Sequence, residues 1–133
     1  MEINKFILFE EGPNERTRDR LHVTISSRGR LYFNPIALEA IGWPPGVVLM
    51  YDEVNKAIGV LPGTMTRKET FRLRKLRASN GMYITALNFC RRFSIAPSET
   101  LAFQTPRINH DGIFVLSLNH VQPVTRGRRM PCR

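Results

Sequence analysis

Residues 21–61 decide the fold of this chain and read LHVTISSRGRLYFNPIALEAIGWPPGVVLMYDEVNKAIGVL. Polar and apolar residues alternate in the first part of this stretch, which is typical of half-buried strands on either side of a turn. Asn34 and Pro35 then predict the start of a short helix, because an Asn side chain caps a helix and Pro fits its first position. Gly42 predicts the end of that helix, and the two apolar runs that follow predict a β-hairpin.

The same order of predicted elements returns in residues 71–117, which read FRLRKLRASNGMYITALNFCRRFSIAPSETLAFQTPRINHDGIFVLS. Gly81 takes the place of Gly29 in the turn, and Phe93 takes that of Ile41 at the end of the helix. One unit is too small to fold alone, so two copies are expected to share one core. The predicted fold is therefore mainly β with two short helices, a duplicated strand–helix–hairpin unit with a pseudo-two-fold axis. Such symmetry suits duplex DNA.

The predicted duplication divides the chain into five segments. We predict an N-terminal extension at 1–20, a first unit at 21–61, a basic linker at 62–70, a second unit at 71–117 and a basic C-terminal tail at 118–133. Both units are expected to belong to one barrel domain.

The composition indicates an anionic partner. The chain has 133 residues, of which 42% are hydrophobic, so it is long and apolar enough for one domain with a real core. Its net charge of +9 at pH 7 favours nucleic acid, ahead of an anionic membrane surface or an acidic protein. Two cysteines, Cys90 and Cys132, are too few for a disulfide framework. Without a visible signal peptide or a run long enough to span a membrane, we expect a cytoplasmic protein with no membrane partner.

Basic residues gather in one turn, one strand, one helix and the tail. Arg28 and Arg30 flank a turn glycine, where guanidinium groups can reach phosphates or base edges. Arg72 and Arg74 alternate with apolar residues, so a strand would place them on one face as a positive stripe. The alternative is a charged edge strand that prevents aggregation. The predicted nucleic-acid-binding residues are Arg28, Arg30, Arg72, Arg74, Lys75, Arg77, Arg91, Arg92, Arg126, Arg128 and Arg129.

The run GRLYFNPIALEAIG at 29–42 resembles the AbrB/SpoVT/MraZ family of bacterial DNA-binding proteins. The family pattern is a Gly-Arg turn, a strand, a Pro-initiated short helix, a Gly and a β-hairpin. Gly29, Arg30, Pro35 and Gly42 match it here. The resemblance implies that two units interlock as swapped hairpins in one small AbrB-like barrel, as in MraZ-like members, which carry two units per chain.

The chain departs from the family pattern in ways that make the two halves unequal. The first helix carries Glu39 where family members commonly place basic residues, whereas the second helix carries Arg91 and Arg92. The second turn also lacks an arginine after Gly81. DNA contact is therefore expected to depend more on the second unit and the linker.

Signals for catalysis are weak. His22, His110 and His120 are scattered without metal-ligand spacing, so we predict no enzyme, no cofactor and no metal site. Trp43 is expected to plug the core, and Tyr32, Phe33 and Tyr83 are expected to be core or barrel residues.

The resulting hypothesis is a prokaryotic or phage transcriptional regulator that occupies a site on double-stranded DNA. It would be cytoplasmic and nucleoid-associated, and a homo-oligomer is allowed. One alternative is a protein-interaction module, such as an antitoxin-like partner, a phage protein docked on a host complex or an assembly subunit, with an acidic protein as partner. A further alternative is an RNA binder, which the sequence supports less because it shows no clear set of exposed aromatics for base stacking.

Overall fold

The computed structural model describes residues 20–77 and 79–124, and this part of the chain is mainly β with two short helices. The helices are α1 (Pro35–Ala40) and α2 (Leu87–Arg92). The strands are β1 (Val23–Ile25), β2 (Arg30–Phe33), β3 (Gly46–Asp52), β4 (Ala57–Gly63), β5 (Phe71–Arg72), β6 (Arg74–Lys75), β7 (Met82–Thr85), β8 (Leu101–Phe103), β9 (Arg107–Ile108), β10 (Phe114–Ser117) and β11 (Val121–Pro123).

These strands form two sheets. Sheet A has six strands in the order β11-β8-β1-β2-β7-β6, and sheet B has five in the order β5-β3-β4-β10-β9. Within the described residues the two sheets are not closed into a barrel. The mainly β prediction is confirmed, whereas the swapped-hairpin barrel stays a prediction.

Strands from the two halves of the chain are interleaved. The pairs β2–β7 and β1–β8 join the halves in sheet A, and the pairs β4–β10 and β3–β5 join them in sheet B. The hydrophobic cluster is shared as well, since Phe33 of β2 and Phe114 of β10 are both fully buried with ring centres 6.4 Å apart. Neither half therefore has a complete core of its own.

The start of α1 follows from its cap. The Asn34 side-chain oxygen accepts the Ala37 N–H at 2.9 Å, and Pro35 occupies the first turn, as the sequence predicts. Gly42 follows the helix with φ +83, a left-handed conformation that glycine adopts without strain. By contrast, α2 has Ala86 at its N-cap and no side-chain cap, so the two helices begin differently.

The second hairpin differs from the prediction. The sequence predicts a hairpin between residues 101–104 and 112–116, which correspond to β8 and β10. Instead β8 pairs with β11 and β10 pairs with β9, so this hairpin does not form. Asn109 is the reason for the shorter hairpin, because its side-chain oxygen accepts the N–H groups of Asp111 and Ile113 and tightens the turn. Val121–Pro123, assigned to the tail by the sequence analysis, extends sheet A as β11.

Trp43 does not plug the core, contrary to the prediction. Its side chain is 49% exposed, and its Nε1 donates to Glu39 Oε1 at 2.8 Å. The physical reason is the tight end of α1, where Gly42 and Trp43 both have positive φ. The chain therefore turns away from the core at this point, and Ile41 is the residue that packs inward.

Candidate nucleic-acid interface

One face of sheet A carries a row of basic, aromatic and hydroxyl side chains. Arg74 lies opposite Tyr83, Tyr83 opposite Tyr32, and Tyr32 opposite Thr24. Residues directly opposite one another in a sheet project from the same face. The neighbouring row includes Ile84, which is fully buried, so the row with the tyrosines lies on the face away from the core. This face is called the outer face of sheet A below.

Of the predicted core or barrel residues Tyr32, Phe33 and Tyr83, only Phe33 lies in the core, while the two tyrosines lie on strands of sheet A and outside the core. Phe33 is fully buried, but Tyr32 and Tyr83 are only half-buried. Because side chains alternate along a strand, Tyr32 projects to the face opposite Phe33. Ile84 likewise takes the inward position in β7 and leaves Tyr83 on the outer face.

Two arginines neighbour Tyr83 on the outer face of sheet A. The Arg30 guanidinium carbon lies 4.1 Å from the centre of the Tyr83 ring, a cation–π contact. Arg74 is the cross-strand partner of Tyr83 on the edge strand β6. The sheet thus concentrates positive charge around one aromatic ring.

These residues line a cavity of about 570 Å³ on the outer face of sheet A, which we call the Arg30 groove. Within residues 20–77 and 79–124 its lining combines aromatic rings, hydroxyl groups and a guanidinium, and none of these lining residues is Asp or Glu. The described residues that line it are His22, Thr24, Ser26, Arg30, Tyr32, Leu76, Ser79, Tyr83, Thr100 and Val124.

The first turn fixes the backbone beneath the basic residues. Ser26 Oγ accepts the N–H of Arg28 at 3.3 Å and that of Arg30 at 3.1 Å. The Arg28 side chain is exposed at the tip of this turn. A second cavity of about 460 Å³ is lined by Ser26, Arg28 and Arg30 among others, so the turn and the groove share residues. Arg28 and Arg30 are therefore brought to one surface, as their spacing predicts.

Hydrogen bonding and burial hold the rings of the groove in place. The Tyr32 hydroxyl and Ser79 Oγ lie 2.8 Å apart, and the His22 ring meets the Tyr32 ring edge-on with centres 6.4 Å apart. Burial, and to a lesser extent the charge of Arg20, lowers the pKa of His22 below its ordinary value of 6.5. His22 is therefore neutral at pH 7 and offers one donor and one acceptor nitrogen.

The predicted arginine stripe is divided between the two sheets. Arg72 pairs with Gly46 at the edge of sheet B, whereas Arg74 and Lys75 lie at the edge of sheet A. Leu73 separates them because its side chain is buried and its N–H donates to Pro45 O at 3.0 Å. The alternation of exposed arginines with inward apolar residues is confirmed, but a single stripe on one strand is not formed.

The other predicted contacts lie apart from the groove lining. Arg77 is exposed in the segment after β6, and Arg91 and Arg92 are exposed in the last turn of α2. The Arg92 guanidinium carbon lies 5.4 Å from the centre of the Phe93 ring. The tail arginines Arg126, Arg128 and Arg129 lie outside the described residues.

Sequence reasoning missed the residues that complete the groove, mainly His22, Tyr32, Ser79 and Tyr83. A signal for the tyrosines exists, since each one alternates with a strongly apolar neighbour that takes the core position. No local signal marks Ser79, which comes from a loop 47 residues away from its partner Tyr32.

Other kinds of site find little support in residues 20–77 and 79–124. No group of three or more His, Cys, Asp or Glu side chains there is placed to hold a metal ion. Cys90 is buried, and burial raises the pKa of its thiol, which makes it a poor nucleophile. Over the same residues, the helices are too short and insufficiently apolar to cross a membrane.

Comparison of the chain with family models, with curated proteins and with solved structures gives no match.

Proposed function

We propose that this protein binds double-stranded DNA and acts as a prokaryotic or phage transcriptional regulator by occupying its site, without catalysing a reaction. One observation carries the proposal: Arg30 and Arg74 both neighbour Tyr83 on the outer face of sheet A, beside a groove to which the described residues contribute no carboxylate. Guanidinium groups attract phosphates, and binding releases counterions from the DNA. The net charge of +9 adds to this attraction over a longer range.

The proposal includes an AbrB-like swapped-hairpin arrangement of the two halves. Its support is the set of four strand pairs that join residues of one half to residues of the other. Such a protein would work in the cytoplasm at the nucleoid. The first turn, with Arg28 and Arg30, and the edge strand β6, with Arg74 and Lys75, would contact the DNA backbone.

The test is binding of a labelled mixed-sequence duplex at several salt concentrations, followed by fluorescence anisotropy. Arg30→Ala and Arg74→Ala should each weaken binding and reduce the slope of log K against log salt by ~0.9 for every phosphate that the variant no longer neutralises. Arg67→Ala is the matched control, because it removes the same charge from an exposed residue that pairs with Glu69 at 3.4 Å, outside the groove lining.

The Arg72→Ala variant tests whether sheet A or sheet B contacts the DNA phosphates. Arg72 is only two positions from Arg74 but belongs to sheet B, so its replacement should change the salt slope less than Arg74→Ala does.

Equal losses of affinity in Arg67→Ala, Arg30→Ala and Arg74→Ala would mean that net charge alone drives binding. Absence of duplex binding at low salt would contradict the proposal and favour an acidic protein partner. An RNA duplex of equal length serves as competitor.

A further inference from the structure

Unpaired nucleobases expose their flat faces, which are covered by stacking inside a duplex. Within a double helix the flat faces of the bases are stacked, and a protein reaches only their edges and the backbone. Aromatic rings on an open sheet face can stack on a base only when that base has left the helix or belongs to a single strand. The half-buried Tyr32 and Tyr83 on the outer face of sheet A are therefore not explained by duplex contact alone.

We propose that the Arg30 groove binds an unpaired nucleobase of a single-stranded nucleic acid segment. This inference rests on the proposed function for its attraction to phosphate, but it names a different ligand for the groove itself. Four features of the groove support it, namely its rings, its hydroxyl groups, its guanidinium and its size.

The rings are held in place before any ligand arrives. Tyr32 and Tyr83 are direct cross-strand partners, so their Cα atoms are fixed by the ladder between β2 and β7. The Tyr32 hydroxyl is tied to Ser79 Oγ at 2.8 Å, and His22 packs edge-on against the same ring. Rings that are already ordered lose little conformational entropy when a base stacks on them.

The Arg30 guanidinium supplies a second planar surface. It lies 4.1 Å from the centre of the Tyr83 ring, and bases stack on guanidinium planes as well as on aromatic rings. Its charge also favours the phosphate attached to that base. One residue can thus contact both parts of a nucleotide.

The polar groups of the groove suit the edge of a base. Thr24 and Thr100 bring hydroxyls that can donate or accept hydrogen bonds, and neutral His22 adds one donor and one acceptor. The Ser26 hydroxyl accepts two backbone N–H groups and keeps its own proton to donate. This set recognises mixed donor and acceptor patterns, whereas a site for phosphate alone would need donors only. The groove volume of about 570 Å³ lies within the range of ~300–1,000 Å³ that is common for small-ligand sites.

The experiment separates base contact from phosphate contact. Wild-type protein is titrated with a labelled thymidine strand, an abasic strand of equal length and charge, a ribonucleotide strand of equal length, and a fully paired duplex. We expect the thymidine strand to bind about 10-fold more tightly than the abasic strand, which matches the ~1–3 kcal/mol typical of one base–aromatic stack. The ribonucleotide strand distinguishes RNA from DNA as the source of the base, and the inference is supported when either base-containing strand binds more tightly than the abasic strand.

Variants assign the effect to the groove. Tyr83→Leu should bind the thymidine and abasic strands equally, while Tyr83→Phe, which keeps the ring, should retain the preference. Trp43→Leu is the matched control, because Trp43 is an aromatic residue that is 49% exposed and does not line the groove. Circular dichroism of each variant shows whether it is folded.

The outcomes for the inference and for the proposed function are distinct. Equal binding of the thymidine and abasic strands by wild-type protein overturns the inference, even when the duplex binds tightly. Loss of the preference in Trp43→Leu but not in Tyr83→Leu also overturns it. Absence of duplex binding combined with a strong preference for base-containing strands overturns the proposed function and leaves the inference standing.

Discussion

Gly29 in the first turn lies directly against Leu87 at the start of α2. The Ala86 N–H donates to Gly29 O at 2.8 Å, and a Cβ on Gly29 would lie 2.8 Å from Leu87 Cα. The turn that carries Arg28 and Arg30 is therefore seated on a helix from the other half of the chain. The surface of the candidate interface depends on this contact, since a shift of the turn moves both arginines.

Replacing Gly29 by Ala should destabilise the fold more than replacing Gly112 by Ala. Both glycines have positive φ, +79 and +81, so both substitutions cost about 1–2 kcal/mol of backbone strain. Only Gly29 adds a clash with backbone atoms, because nothing lies within 4 Å of a Cβ on Gly112. We expect Gly29→Ala to lower the free energy of unfolding by about 3 kcal/mol or more in urea titrations. Equal losses of stability in the two variants would contradict the close approach of Gly29 to α2.

Asn34→Ala should lower the free energy of unfolding by about 2–4 kcal/mol. Asn34 is only 3% exposed, and its side chain accepts from Ala37 N and His22 N and donates to Arg20 O. Loss of the helix cap costs ~0.5–2 kcal/mol, and the buried groups left without partners add to that. Thermal and urea unfolding measure the change. Asn55→Ala, at an exposed turn position, is the control and should cost less than about 1 kcal/mol; a similar cost at both positions would rule out the buried role of Asn34.

Stability should fall as the pH drops below about 6.5 because of His22. Burial, followed by the charge of Arg20, lowers the pKa of His22 in the folded protein below 6.5. The unfolded chain therefore takes up the proton at a higher pH than the folded protein does, and unfolding is favoured as the pH falls through this window. Above it both states are neutral at His22, and the residue makes no pH-dependent contribution.

Urea midpoints measured between about pH 8 and pH 5 test this dependence, because they bracket the ordinary titration range of histidine. His22→Gln should flatten the decline relative to wild type. His110→Gln is the control, since the His110 side chain is 91% exposed and should leave the profile unchanged. A profile that is identical in wild type and His22→Gln would show that other groups cause the decline.

Leu73→Ala should be among the more damaging core substitutions. Leu73 is 5% exposed and sits between β5 in sheet B and β6 in sheet A, so its side chain packs where the chain passes from one sheet to the other. Removing a buried leucine typically costs about 2–5 kcal/mol. Leu87→Ala makes the same chemical change at a side chain that is 37% exposed and should cost less than about 2 kcal/mol. Comparable unfolding energies for the two variants would contradict the central position of Leu73.

Local signals predicted several elements of the fold well. Asn34, Pro35 and Gly42 mark α1 because a cap, a rigid φ and a left-handed residue act within a few positions of one another. The alternation of polar and apolar residues likewise acts over a few positions, and it correctly predicts that Leu31 and Phe33 lie in the core. The same alternation places Tyr32 on the outer face.

Strand pairs between residues far apart in the sequence were harder to predict. The sequence predicts a hairpin between β8 and β10, but β8 pairs with β1 and β11. The Asn109 turn closes the shorter β9–β10 hairpin, and β8 lies at the edge of β1 instead. The residues of β8 do not predict either partner, because a three-residue strand has too short an alternation pattern to select one.

The sequence by itself determined the mainly β composition, the two short helices and the excess of positive charge, because each depends on residue type and on spacing over a few positions. Only the tertiary structure decided that Arg72 and Arg74 belong to different sheets, and that His22, Tyr32, Ser79 and Tyr83 line one groove with Arg30. The physical reason is that strand partners are chosen by burying one face of each strand against the whole core. That choice pairs Tyr32 with Tyr83 across about half the length of the described chain, which no local pattern encodes.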